Sequence, residues 1–152
     1  MPPIVESVEI ARPADQVYAY MVDPTHLTEW QEGLVSVRQQ GEASIAVGSR
    51  FVTVRRVGGR ERTMTMEMVE LNPPKSFRGR GVDGPVRGIV HGRVESIGDG
   101  TRSRATIELD FEAHGIGILL VPMVVRRQAK KEVPSNMRML KDALEQGGTQ
   151  RS

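Results

Sequence analysis

The sequence predicts an α+β domain in which a meander of antiparallel strands is followed by one long helix. Three observations predict it. Residues 102–113, "RSRATIELDFEA", alternate small or apolar side chains with polar ones without a break, the period of a half-buried strand. Between residues 34 and 97 the same alternation recurs in short runs, separated by glycine- and proline-rich turns. Beyond residue 130 the apolar period lengthens, and Val133, Met137, Leu140 and Leu144 fall on one face of a helix. A chain of 152 residues holds one core, so a single domain is expected over 1–152, with 146–152 as a frayed tail.

Residues 4–11, "IVESVEIA", open the chain as a strand, with Ile4, Glu6, Val8 and Ile10 sharing a face. "RPADQVYAYMVDPTHLTEWQEG" follows and reads as two short helices. Pro13 is pre-set for a first helical position, and Val17, Tyr20 and Met21 sit at helical spacing behind it. Asp23-Pro24 ends this helix, because the residue before proline is driven out of the helical region. Asp23 then caps a second short helix, with Leu27 and Trp30 facing inward and Gly33 as its end.

Strands are expected at 34–38 and 49–57, the second closed by a hairpin turn at "GGR", 58–60. The sequence does not set which face of strand 49–57 turns inward. In "TMTMEMVEL", 63–71, Met64, Met66 and Met68 share a face, and the apolar phase then jumps to Val69 and Leu71, as a bulge requires. Pro73-Pro74 ends that strand. "SFRGRGV" and "PVRGIVHGRVESI" continue the meander on either side of "DGP", 83–85, and "GDGT", 98–101, is the next turn. Pro134 lies inside the C-terminal helix and is expected to kink it near Lys130, and Gly147-Gly148 are expected to end it.

Composition narrows the function classes. The chain has no cysteine, which excludes disulfides, thiolate metal sites and thiol nucleophiles. Lys+Arg 21 against Asp+Glu 19 leaves a net charge of +2, and the cations are scattered, so no nucleic-acid partner is expected. The N-terminus lacks the pattern of a signal peptide. The longest apolar run, "GIGILLVPMVV" at 115–125, falls short of the ~20 residues that span a bilayer. A cytoplasmic protein is expected. His26, His91 and His114 share no metal-ligand spacing, and no G-x-S-x-G, H-E-x-x-H or phosphate-binding loop is present, so neither metal nor cofactor is expected.

The stretches "IARPADQVYAYMVDPTHLTEW", "VGSRF", "VELNPP", "GDGTR", "GIGILLVP" and "KEVPSNMRMLKDALE" occur in this order over residues 4–146. In that order the chain resembles the START-like, or Bet v 1-like (SRPBCC), superfamily, and most closely its polyketide cyclase/dehydrase and lipid-transport branch. Pro134 departs from that family's uninterrupted helix. The resemblance implies a helix-grip fold. A curved antiparallel sheet of about seven strands would wrap the long C-terminal helix around a hydrophobic cavity, with the two short helices closing one end. It also implies a lipid-, polyketide- or isoprenoid-like ligand.

The candidate ligand-binding residues are Tyr20, Trp30, Phe51, Met64, Met66, Met68, Val90, Leu109, Phe111, Leu120 and Met123. Burying each apolar side chain is worth roughly 1.5–3 kcal/mol, so core formation alone accounts for most of them. The pocket reading rests on the methionines, whose unbranched thioethers adapt to varied apolar shapes. It rests also on an aromatic content of 4%, too few rings to fill a curled sheet. Tyr20, Arg55 and Glu67 are the candidate catalytic groups for the alternative of a cyclase- or dehydratase-type enzyme. A third reading, a module for an acidic partner, would use Arg78, Arg80, Arg102 and Arg104, for which pairing with Glu95, Glu108 or Asp110 is the plainer role. The run 115–125 is either the start of the gripping helix or an apolar gate, which would allow peripheral membrane contact.

Overall fold

Seven antiparallel strands form one sheet in the order β1-β7-β6-β5-β4-β3-β2. The computed structural model describes residues 3–41, 44–84, 86–113 and 121–150. The strands are β1 (Ile4–Ile10), β2 (Leu34–Gln39), β3 (Arg50–Val57), β4 (Arg60–Asn72), β5 (Ser76–Gly81), β6 (Val86–Ile97) and β7 (Arg102–Ala113). Helix α1 (Ala14–Val22), a one-turn 3₁₀ segment (Pro24–His26) and α2 (Leu27–Trp30) stand between β1 and β2, and α3 (Val121–Gln150) closes the chain.

The local signals act as their chemistry dictates. Asp23 Oδ1 accepts from the Thr25 amide at 2.9 Å and from its hydroxyl at 2.7 Å, and Pro24 follows at the first helical position, so the chain turns sharply between α1 and α2. Gly58 and Gly59 both have positive φ, which a two-residue hairpin of this twist demands, and Val57 pairs with Arg60 across the turn. The register of β4 against β5 shifts between Met68 and Glu70. This is the bulge signalled by the jump in apolar phase. It returns Leu71 to the packed face after Met64, Met66 and Met68.

Two expectations on the helices need correction. The buried face of α1 is Val17, Tyr18 and Met21, not Val17, Tyr20 and Met21. Tyr18 goes inward because its hydroxyl reaches the Ser76 carbonyl at 2.9 Å and its ring meets Phe77 edge-on. Helix α3 does not end at Gly147-Gly148 but runs on to Gln150. Pro134 lies within it.

The core is formed where α3 crosses the sheet. Val133, Met137, Leu140 and Leu144 are all buried, as their spacing predicted, and pack with Ile4, Ile10, Val17, Met21, Val94 and Ala105. Polar ties hold this end shut. The Ala11 amide donates to Glu145 at 2.9 Å, Arg12 donates to the Glu145 carbonyl at 2.8 Å, and Ser103 donates to the Arg12 carbonyl at 2.7 Å. At its other end α3 is fastened to β7. Arg126 donates to Asp110 at 2.8 Å and lies over the Phe111 ring at 5.6 Å, and that bond holds the Asp110 carboxyl below its ordinary pKa.

Candidate ligand-binding site

Between the inner face of the sheet, the helix pair and the first half of α3 lies a cavity of about 890 Å³. That is within the range of small-molecule sites, roughly 300–1,000 Å³. Strand alternation decides which residues reach it. On β3 the inward positions are Phe51, Thr53, Arg55 and Val57, which settles the face that the sequence left open. Their cross-strand neighbours Met66 and Met64 face the same way. The ladder continues through Met68, Gly79, Val90 and Leu109, one position on each of four adjacent strands.

Of the residues expected to bind ligand, Trp30, Phe51, Met64, Met66, Met68, Val90, Leu109 and Phe111 line this cavity. Trp30 forms part of the wall and is buried, and its indole N–H has no hydrogen-bond partner among the described residues. Tyr20 is not on the wall. It is half-buried against the core, stacks on His26 with ring centroids 4.5 Å apart and donates to Glu29 at 2.8 Å. Met123 is exposed and also off the wall. Leu120 and His114 lie outside the described residues, as does most of the apolar run from 115.

The three candidate catalytic groups are separated by the fold. Arg55 reaches the cavity and donates to Gln31 Oε1 at 2.6 Å. Burial pulls its pKa below the ordinary value, and the Glu132 carboxylate opposes that shift. Glu67 borders the cavity, but its carboxylate is held by Arg50 at 3.1 Å, and in the sheet it stands between Arg50 and Arg80. Tyr20, as described, is not on the cavity wall.

Sequence reading missed a polar cluster around Arg55. Gln128, Glu132 and Asn136 project from successive turns of α3 and all line the cavity. Gln128 Nε2 donates to Glu132 at 2.6 Å and to the Arg56 carbonyl at 2.6 Å, while its Oε1 accepts from the Gly58 amide at 2.9 Å. Asn136 Oδ1 accepts from the Glu32 amide at 2.8 Å. Gly33 makes room for the Glu132 carboxylate, since a Cβ there would stand 2.6 Å from Glu132 Oε2. The i, i+4, i+8 spacing of these three residues was the available signal. Like the i, i+4, i+7, i+11 spacing of the apolar stripe beside it, it keeps the residues on one side of the helix.

The outer face carries ion pairs. Arg78 pairs with Glu70, and Arg102 and Arg104 both reach Glu9. Register sets Glu70 opposite Arg78 and places Arg104 between Glu9 and the expected partner Glu95; of the other two expected partners, Glu108 pairs with Arg93 and Asp110 with Arg126. His91 sits on this face among Arg78, Arg93, Glu108 and Glu70. Partial burial, together with the two arginines, lowers its pKa. Among the described residues no helix is long and apolar enough to cross a membrane.

Comparison with known proteins agrees with this geometry. The chain has no significant sequence match among curated proteins. Among solved structures it is similar to the Zhui aromatase/cyclase of Streptomyces sp. R1128, with TM-score 0.79 at 15% identity, over 96% of this chain and 97% of that one. A START superfamily protein from Mycobacterium smegmatis matches over 100% of both chains, with TM-score 0.72 and 15% identity. The di-domain ARO/CYC BexL from the BE-7585A biosynthetic pathway matches with TM-score 0.73 and 17% identity, over 95% of this chain but 47% of BexL, so the chain spans about half of that protein. These likenesses establish the fold. The family model described as polyketide cyclase/dehydrase and lipid transport matches residues 1–145, nearly the whole sheet and helix that enclose the cavity, and the chain belongs to that family.

Proposed function

We propose that this protein binds one small, largely apolar molecule in the cavity, with the body of the ligand against the methionines and its polar end toward Arg55. The observation that carries this reading is the asymmetry of the wall. Met64, Met66, Met68, Phe77, Ile107 and Leu109 offer apolar surface, while Gln31, Arg55, Gln128, Glu132 and Asn136 bring donors and acceptors to one part of it. An apolar enclosure with a few convergent polar groups is the arrangement that gives a small-molecule site its affinity and orientation. The family supports ligand binding or cyclase chemistry alike, and lipid-, polyketide- and isoprenoid-like molecules are the classes it points to.

Native mass spectrometry of the purified protein tests the proposal. The expected result is a one-to-one adduct released on denaturation. Protein that carries no adduct and takes up no apolar dye would overturn it.

A cyclase-type reading has one specific observation in its favour: of the three candidate groups, Arg55 alone combines a place on the cavity wall with an inward position on its strand, since Tyr20 is off the wall and Glu67 alternates with the inward Met66 and Met68. One of the five guanidinium N–H donors is given to Gln31, and on a desolvated wall the others suit a developing enolate or alkoxide oxygen. Turnover of a poly-β-keto substrate should then fall about 100-fold or more in Arg55→Met with binding largely retained. Equal turnover in that variant would remove this reading and leave the binding one standing.

A further inference from the structure

We propose that Gly88 is a gauge of ligand length: the side chain it lacks is part of the binding volume, and this position limits how long a molecule the cavity accepts. The inference rests on the ligand-binding reading above. Glycine in the interior of a strand weakens it, because the residue loses the most freedom on folding and packs nothing, so its presence needs a cause. Three ordinary causes are absent at Gly88. It is not among the glycines with positive φ. It does not make a turn, but lies inside β6 and pairs with Phe111 of β7. Nor does a neighbour crowd it, for a Cβ built there would first meet Leu109 Cδ1 and Phe111 Cε1, both at 3.9 Å, an ordinary contact distance.

The other glycines of β5 and β6 are different. A Cβ at Gly92 would lie 2.2 Å from the Phe77 ring, which occupies that space. At Gly79 it would come within 3.3 Å of Val90, and at Gly81 within 3.3 Å of Arg87. Gly88 and Gly92 stand on one face of one strand, four residues apart. The gap at Gly92 is filled by the protein's own aromatic ring, whereas the gap at Gly88 opens onto the cavity between Leu109 and Phe111. A side chain there enters space that a ligand would otherwise use.

The test is displacement of the neutral dye phenylnaphthylamine by straight-chain alcohols from hexanol to tetradecanol, with wild type, Gly88→Ala and Gly88→Leu compared. In wild type, affinity should rise about fourfold per carbon until the chain fills the cavity. In Gly88→Leu that rise should stop two or three carbons earlier, with the longest alcohols bound about tenfold or more weakly and the shortest bound as in wild type. Gly88→Ala should melt no lower than wild type, since its methyl has room. A Gly88→Ala variant of clearly lowered melting temperature would overturn the claim of open space, whether or not Gly88→Leu folds. An unchanged length profile in folded Gly88→Leu would overturn the gauge alone. Wild type that binds neither dye nor alcohol would overturn the ligand reading and this inference together.

Discussion

The two halves of α3 face one sheet and make opposite structures. Past Met137 the helix presents Leu140 and Leu144 to the cluster of Ile4, Ile10, Val94 and Ala105, with α1 adding Val17 and Tyr18, and the space between them is filled. Before Val133 it presents Gln128, Ala129 and Glu132 to a wall interrupted by Thr53, Gly79 and Gly88, and about 890 Å³ stays open. Packing at the density of a crystal requires side chains long enough to meet. In the first half of the helix they are too short, or polar and committed to other partners. The cavity is therefore a consequence of residue choice along one helix and the strands facing it.

The contrast can be broken most strongly in the solid half. Leu140 is fully buried, so Leu140→Ala should cost about 2–5 kcal/mol, read as a lowered denaturant midpoint, while the folded fraction still binds dye. Next is Gly92→Ala, whose methyl collides with the buried Phe77 ring and should cost about 1–3 kcal/mol, against no loss for Gly88→Ala. Paired thermal melts of the two variants compare a filled gap with an open one directly. In the hollow half, Met64→Ala removes a half-buried wall residue. It should cost about 1 kcal/mol or less while changing dye affinity, measured by titration.

The smallest effect expected is on pH dependence at the closed end. The hydrogen bond from Lys141 and that from the Ala11 amide hold the Glu145 carboxyl below its ordinary value of 4.5. A carboxyl depressed on folding contributes stability that is complete above its unfolded pKa and is lost as pH falls through the folded one. Acid unfolding followed by circular dichroism should thus be shallower between pH 4.5 and the folded pKa in Glu145→Gln than in wild type.

Much of this was legible in the chain. The alternation of 102–113, the bulge after Met68, the sharp turn at Asp23-Pro24 and the stripe from Val133 to Leu144 are local signals, and each appears where its chemistry placed it. Tyr18 and Tyr20 were confused because both lie near the helical stripe, and only the carbonyl of Ser76 and the ring of Phe77 draw Tyr18 inward. Gln128, Glu132 and Asn136 were passed over because polar side chains on a helix read as a solvated face.

By itself the sequence determined the order of elements, the turns, the faces of most strands and the greasy character of the interior, because these depend on residues a few positions apart. Whether that interior closes or stays hollow was decided by tertiary structure alone. Gly88 and Gly92 are the same residue on the same face of the same strand, and what separates them is a phenylalanine from a neighbouring strand that covers one and leaves the other bare. Filling of space is set by groups far apart in the chain, and no local period records it.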